Sequence, residues 1–110
     1  MQEKIKNAIY YDETESYRIP WMPKSSDTVR VRIRVLKGSF SEINMVILGE
    51  ESLPMSFEFS KGIFDYYFVE LPPAEDAKEY LFELINEVEA ENKKSVQNQC
   101  FVRWFSLLTR

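Results

Sequence analysis

Hydrophobic and polar residues alternate most regularly at Thr28–Leu36, where Val29, Val31, Ile33 and Val35 interleave with Arg30, Arg32 and Arg34. A period of two predicts a strand with one buried face and one charged face. Turn chemistry brackets it, with Lys24-Ser25-Ser26-Asp27 before and Lys37-Gly38-Ser39 after. Ile43–Leu48 reads as a buried strand closed by Gly49-Glu50-Glu51, and Met55–Phe59 alternates again up to Lys61-Gly62. Ile63–Leu71 sets Phe64, Tyr66 and Phe68 against Asp65, Tyr67 and Val69, and Pro72-Pro73 ends it. Ala8–Tyr11 and Tyr17–Trp21 are two short strand candidates, the second marked as an edge by Pro20. Gln99–Leu108 reads as a last strand.

Residues 74–95 fit two patterns. Leu81, Leu84, Ile85 and Val88 have helical spacing, while Tyr80, Phe82 and Leu84 alternate with Leu81, Glu83 and Ile85 as a strand would. Local propensity favours the helix. Six to eight short strands with turn signals between them nevertheless predict an all-β fold, an antiparallel β-sandwich.

Composition narrows the chemistry. A chain of 110 residues makes one domain, 1–110, and at this length buries about two-thirds of its unfolded surface without help from metal or disulfide. The net charge of −4 leaves no basic surplus for nucleic acid. The longest uncharged apolar run, Ile43–Gly49, is far short of the roughly 20 residues of a membrane span. The N-terminal residues hold no apolar stretch of the secretory kind, so a cytoplasmic location is expected. Cys100 is the only cysteine and histidine is absent, which removes disulfides, Cys- or His-ligated zinc, and Ser-His or Cys-His nucleophile pairs.

Three stretches, in order, resemble one known module. Asn7-Ala8-Ile9-Tyr10-Tyr11, the Thr28–Val35 strand, and Phe64-Asp65-Tyr66-Tyr67-Phe68-Val69-Glu70-Leu71 followed by Glu79-Tyr80-Leu81-Phe82-Glu83-Leu84 are similar to the N-terminal immunoglobulin-like domain of neopullulanase- and cyclomaltodextrinase-type α-amylase-family glycosidases (carbohydrate-binding module family 34). The resemblance spans about residues 5–105. It implies an immunoglobulin-like sandwich of about seven or eight strands, placed before a catalytic barrel that is not in these residues. It also makes Lys78–Asn86 a strand against local propensity, leaving 87–94 as a hairpin tip or a helical turn. The implied role is that of a non-catalytic accessory domain. Its implied partners are the barrel of the parent chain, a second subunit, and a malto-oligosaccharide or cyclodextrin.

Sugar recognition needs an aromatic face together with polar groups. Phe64, Tyr66 and Phe68, like Phe57 and Phe59, are expected in the core, so the out-of-phase aromatics, Tyr11 and Trp104 and foremost Trp21, Tyr67 and Tyr17, become carbohydrate-binding candidates. Asp65, on the Tyr67 face, is expected to accept from a sugar hydroxyl. The three alternating arginines are expected to pair with Glu42 or Glu58 rather than hold a phosphate. The apolar run with Trp104, Phe105, Leu107 and Leu108 is expected to dock on a neighbouring domain. No carboxylate here is placed for catalysis. No cofactor is expected, and calcium is left open near Asn7 and Asp12, although no ligand spacing specifies it.

Overall fold

In the computed structural model, residues 3–12, 14–21, 26–73, 78–90 and 93–107 are described, with only the backbone at 78 and from 86 to 107. A short helix α1 (Glu3–Ala8) precedes eight strands: β1 (Arg18–Ile19), β2 (Val29–Leu36), β3 (Glu42–Ile47), β4 (Ser52–Pro54), β5 (Ser56–Lys61), β6 (Phe64–Leu71), β7 (Lys78–Ala90) and β8 (Lys93–Leu107). They form two four-stranded antiparallel sheets, ordered β1-β2-β6-β5 and β4-β3-β7-β8. This is the expected sandwich, in which each sheet turns one face inward and one outward.

The inner rows follow from strand register, because residues directly opposite share a face. In the first sheet Val29, Val31, Ile33 and Val35 of β2 lie opposite Leu71, Val69, Tyr67 and Asp65 of β6. In the second, Ile43, Met45 and Ile47 of β3 lie opposite Leu84, Phe82 and Tyr80 of β7. Val31, Ile33, Met45, Tyr80, Phe82 and Leu84 have no exposed surface, and these rows form one core. Tyr11 closes it at one end, its hydroxyl hydrogen-bonded to that of Tyr80 and its ring edge-on to Phe82 at 4.9 Å.

Residues 78–86 form a strand as the resemblance implies. β7 continues to Ala90 and pairs with β8 up to Ala90↔Lys93, so the segment closes as a hairpin. β3 stops opposite Ile85, and beyond it β7 is held by β8 alone. At the start, the reading of Ala8–Tyr11 as a strand is replaced by α1 and a single bridge between Tyr10 and Arg34. Glu3 and Lys6 on the short helix complement its dipole. Met55 separates β4 from β5, so its segment crosses between the two sheets instead of forming one strand.

The core expectation for the β5 and β6 aromatics is corrected. Phe64, Tyr66 and Phe68 lie on the outer face, opposite Leu36, Arg34 and Arg32. The aliphatic row of β2 must face the core, and register then carries Tyr67, Val69 and Leu71 in with it. On β5 the register shifts between Phe57 and Phe59, so Phe57 lies opposite Tyr67 and Phe59 opposite Tyr66. This bulge puts the two rings on different faces. Both stay exposed, Phe57 at 53% and Phe59 at 38%.

Candidate functional site

The outer face of the first sheet gathers most of the unexplained chemistry. β2 contributes Arg30, Arg32 and Arg34, β6 contributes Phe64, Tyr66 and Phe68, and β5 contributes Glu58, Phe59 and Lys61. Tyr10 joins at the edge through its bridge to Arg34. Rings cover guanidinia: Arg30 lies 4.2 Å from the Phe68 centroid, Arg34 4.1 Å from Phe64 and 5.2 Å from Tyr10, and Arg32 5.5 Å from Phe59. Each such contact stabilises by about 0.5–2 kcal/mol depending on desolvation. Phe59 and Tyr66 stack with centroids 4.6 Å apart and planes at 18°.

Glu58 is the hub. Arg32 donates to its two oxygens from Nε at 2.7 Å and Nη2 at 2.8 Å, and Arg30 donates from Nη1 at 2.9 Å. The fork from Arg32 holds the Glu58 carboxyl below the usual range and outweighs the upward push of burial. The same bond raises the Arg32 pKa. The expected pairing with Glu58 is therefore present for Arg30 and Arg32, while Arg34 donates to the Ala8 carbonyl instead. Glu42 lies in the other sheet and accepts from Asn44 Nδ2 at 2.8 Å.

The four sugar-binding candidates do not form one site. Trp21 is 50% exposed, and its carbonyl accepts from Arg18 Nε at 3.1 Å and Nη2 at 2.7 Å. Arg18 is itself 6% exposed, lying opposite Val31 on the inner row, so a buried side chain fixes the turn that carries the indole. Tyr17 is half-buried against the core and edge-on to Tyr10 at 5.2 Å and to Tyr11 at 6.3 Å. Burial first, then the neighbouring Tyr66 hydroxyl, raises its pKa. Tyr67 points inward beside Phe57, and burial followed by the Asp65 charge raises its pKa. Asp65, 7% exposed, accepts from Gly38 N at 3.3 Å and Ser60 Oγ at 2.5 Å. Its oxygens are engaged in tying two turns together. Gly38 has φ of 71°, a left-handed conformation that suits glycine in the β2–β3 turn.

Asp12 accepts from Tyr10 Oη at 2.7 Å, Thr14 N at 3.0 Å and Thr14 Oγ1 at 2.5 Å, so its carboxylate closes a local turn. Among the described residues no group of three or more His, Cys, Asp or Glu is placed to hold a metal ion. No helix among them is long and apolar enough to cross a membrane. Of the proposed docking run, Phe105 lies opposite Tyr80 and Leu107 opposite Lys78, with Trp104 at a register shift. The side chains of Trp104, Phe105 and Leu107, and all of Leu108, lie outside the described residues.

Sequence reasoning passed over Phe59, Phe64, Tyr66 and Phe68 as surface residues. A usable signal was present, because three arginines on one strand face need acidic or aromatic cover on the adjoining strands.

The profile of the "Alpha amylase, N-terminal ig-like domain" family matches residues 4–102. The chain belongs to that family. Among solved structures it superposes on a cyclomaltodextrinase with TM-score 0.64 at 20% identity, covering 92% of this chain and 19% of that one. It superposes on a mutant of Kfla1895 with TM-score 0.61 at 17% identity, covering 89% of this chain and 14% of that one. At these identities the likeness is one of fold, and the family domain occupies less than a fifth of either neighbour. A search of curated proteins gives no match.

Proposed function

We propose that this family member is the non-catalytic accessory domain of an α-glucan-hydrolysing enzyme of the neopullulanase–cyclomaltodextrinase type. In this reading it docks on the catalytic barrel of the parent chain, supports pairing with a second subunit and narrows access to the substrate. The observation that carries it is the outer face of β1-β2-β6-β5, where Phe59, Phe64, Tyr66, Phe68 and three arginines stand half-covered. A solvated sheet face is ordinarily polar. Aromatic residues and arginine are instead what interface centres are enriched in. The segment with Trp104, Phe105, Leu107 and Leu108 is a second docking candidate, since β8 is an edge strand of its sheet. A single cysteine suits a cytoplasmic setting.

Hydroxyl-radical footprinting of the full-length gene product tests the docking. Phe57 lies off the face and serves as the internal reference. Docking predicts that Phe59 is modified far less, relative to Phe57, than their exposures of 38% and 53% allow. A ratio near that of the exposures defeats the docking reading. The enzymatic half is tested by assaying the same product and the 110-residue chain on maltodextrins, with turnover expected from the first alone.

Weak binding of a malto-oligosaccharide or cyclodextrin is a second reading, favoured by the exposed and firmly held Trp21 ring. One stacked ring adds only about 0.5–1.5 kcal/mol beyond its area, so affinity near the millimolar range is expected. Titration with β-cyclodextrin to tens of millimolar should move the Trp21 indole resonance, and an unmoved indole excludes that site.

A further inference from the structure

The outer face of the first sheet is cationic on an acidic chain. Arg30, Arg32, Arg34 and Lys61 stand there with Glu58 and Glu70, and with Asp12 held by Tyr10 at the edge, while the whole chain carries −4. Two of the arginines are answered. Arg32 forks onto Glu58, and Arg30 reaches Glu58 at 2.9 Å and Glu70 at 3.8 Å.

Arg34 differs. Its Nε donates to the Ala8 carbonyl at 3.0 Å, and its guanidinium carbon lies against the Phe64 and Tyr10 rings. Among the described residues no carboxylate pairs with it and its terminal nitrogens donate to no acceptor. A guanidinium carries five N–H donors in a fixed plane, so most of its capacity is unspent. The Ala8 bond and the two rings fix the plane, which lowers the entropic cost of receiving a ligand. Tyr66 lies opposite Arg34 and is stacked on Phe59, and its hydroxyl makes no hydrogen bond among the described residues. Unspent donors, a hydroxyl and an aromatic wall therefore occupy neighbouring positions of one sheet face.

We infer that Arg34 is an anchor for a carboxylate: it receives an Asp or Glu side chain from an acidic protein surface of the parent enzyme on which this face docks. The inference rests on the docking reading above and gives it a chemistry. A planar carboxylate matches the guanidinium fork with two parallel hydrogen bonds. The positive face of a negative domain selects an acidic partner surface and steers it into register. The flanking Phe59, Phe64, Tyr66 and Phe68 supply the apolar shell that excludes water around such a pair. Glu58 and Glu70 on the same face disfavour a doubly charged phosphate more than a single carboxylate.

The test is footprinting of the full-length gene product with Arg34→Gln and Arg34→Lys. Arg34→Gln removes the charge and the fork, and an interfacial arginine of this kind predicts a fall of about 30-fold in the docking equilibrium. Phe59 and Tyr66 should then become reactive relative to Phe57. Arg34→Lys keeps a cation among the rings and so guards against misfolding as the explanation, but it cannot fork, so partial loss of protection is expected. If Phe59 and Tyr66 are protected in the wild type and equally protected in both variants, the Arg34 anchor is wrong while docking stands. If they are unprotected in the wild type, both the docking reading and the anchor fall.

Discussion

The two sheets share a core and differ on their outer faces. That of β4-β3-β7-β8 presents Glu42, Asn44 and Val46 opposite Ile85, Glu83 and Leu81, with Asn44 and Ile85 buried and Asn44 Nδ2 donating to Glu42 at 2.8 Å and to Glu83 at 3.1 Å. Its charged groups at the β3 and β7 positions are carboxylates, and Phe101 of β8 takes the register position opposite Glu83. The face of β1-β2-β6-β5 is cationic, and rings from β5, β6 and the Tyr10 edge line it. One face mixes carboxylates and an amide with aliphatic residues and carries no cation at its β3 and β7 positions. The other combines cations with rings, the composition in which interface centres are enriched. Burial alone distinguishes core from surface, whereas the contrast between two surfaces of one domain locates the part of the surface that burial leaves unexplained.

The largest expected effect removes the premise of the comparison. Phe82, with no exposed surface on the inner row of β7, packs on Tyr11 and Tyr80. Phe82→Ala should cost about 3–5 kcal/mol through lost transfer energy and the cavity left behind. Urea unfolding of the 110-residue chain measures it. A loss below about 1 kcal/mol would fit a surface site and would undo the assignment of inner and outer rows.

A smaller effect is specific to the arginine face. Glu58→Gln takes the carboxylate from between Arg30 and Arg32, and with its side chain only 15% exposed a loss of about 1–2 kcal/mol is expected. The pH dependence has a definite sign. The folded pKa of Glu58 lies below its ordinary value of 4.5. Its contribution is therefore complete above about pH 4.5 and fades as pH falls through the lower folded value. The difference between wild type and Glu58→Gln in urea midpoint should be constant near neutrality and shrink in acid. A difference that stays constant down to pH 2 would mean that Glu58 is not held by Arg32.

How much of this was legible in the sequence turns on particular strands. β2 could be oriented with certainty because one of its rows is aliphatic and the other cationic. β6 could not, because both of its rows carry apolar groups, Phe64, Tyr66 and Phe68 on one and Tyr67, Val69 and Leu71 on the other. Only pairing with β2 breaks that tie, and pairing is a long-range fact. β5 adds a bulge, which alternation cannot signal, so Phe57 and Phe59 separate. β7 shows the reverse case, in which helix formers are held extended by β3 on one side and β8 on the other. The candidate site was hidden for the same reason as β6: an arginine row looks self-sufficient until the rings that cover it are placed opposite.

The smallest expected effect lies on the acidic sheet and is diagnostic for being small. Glu79 is exposed, and Leu48 N donates at 2.9 Å to its backbone carbonyl, which a side-chain change leaves in place. Glu42 is exposed too, and Gln at that position keeps an oxygen able to accept from Asn44. Surface changes away from buried networks usually fall within about 0.5 kcal/mol, so Glu42→Gln and Glu79→Gln should each leave the urea midpoint nearly unmoved. If the outer faces are as different as their chemistry indicates, a carboxylate removed from the second sheet costs little and Glu58 removed from the first costs several times more. Equal losses on both faces would mean that the arginine–aromatic assembly confers no cohesion on its own sheet, leaving recognition by a partner as the sole physical reason to hold rings and guanidinia together at a surface.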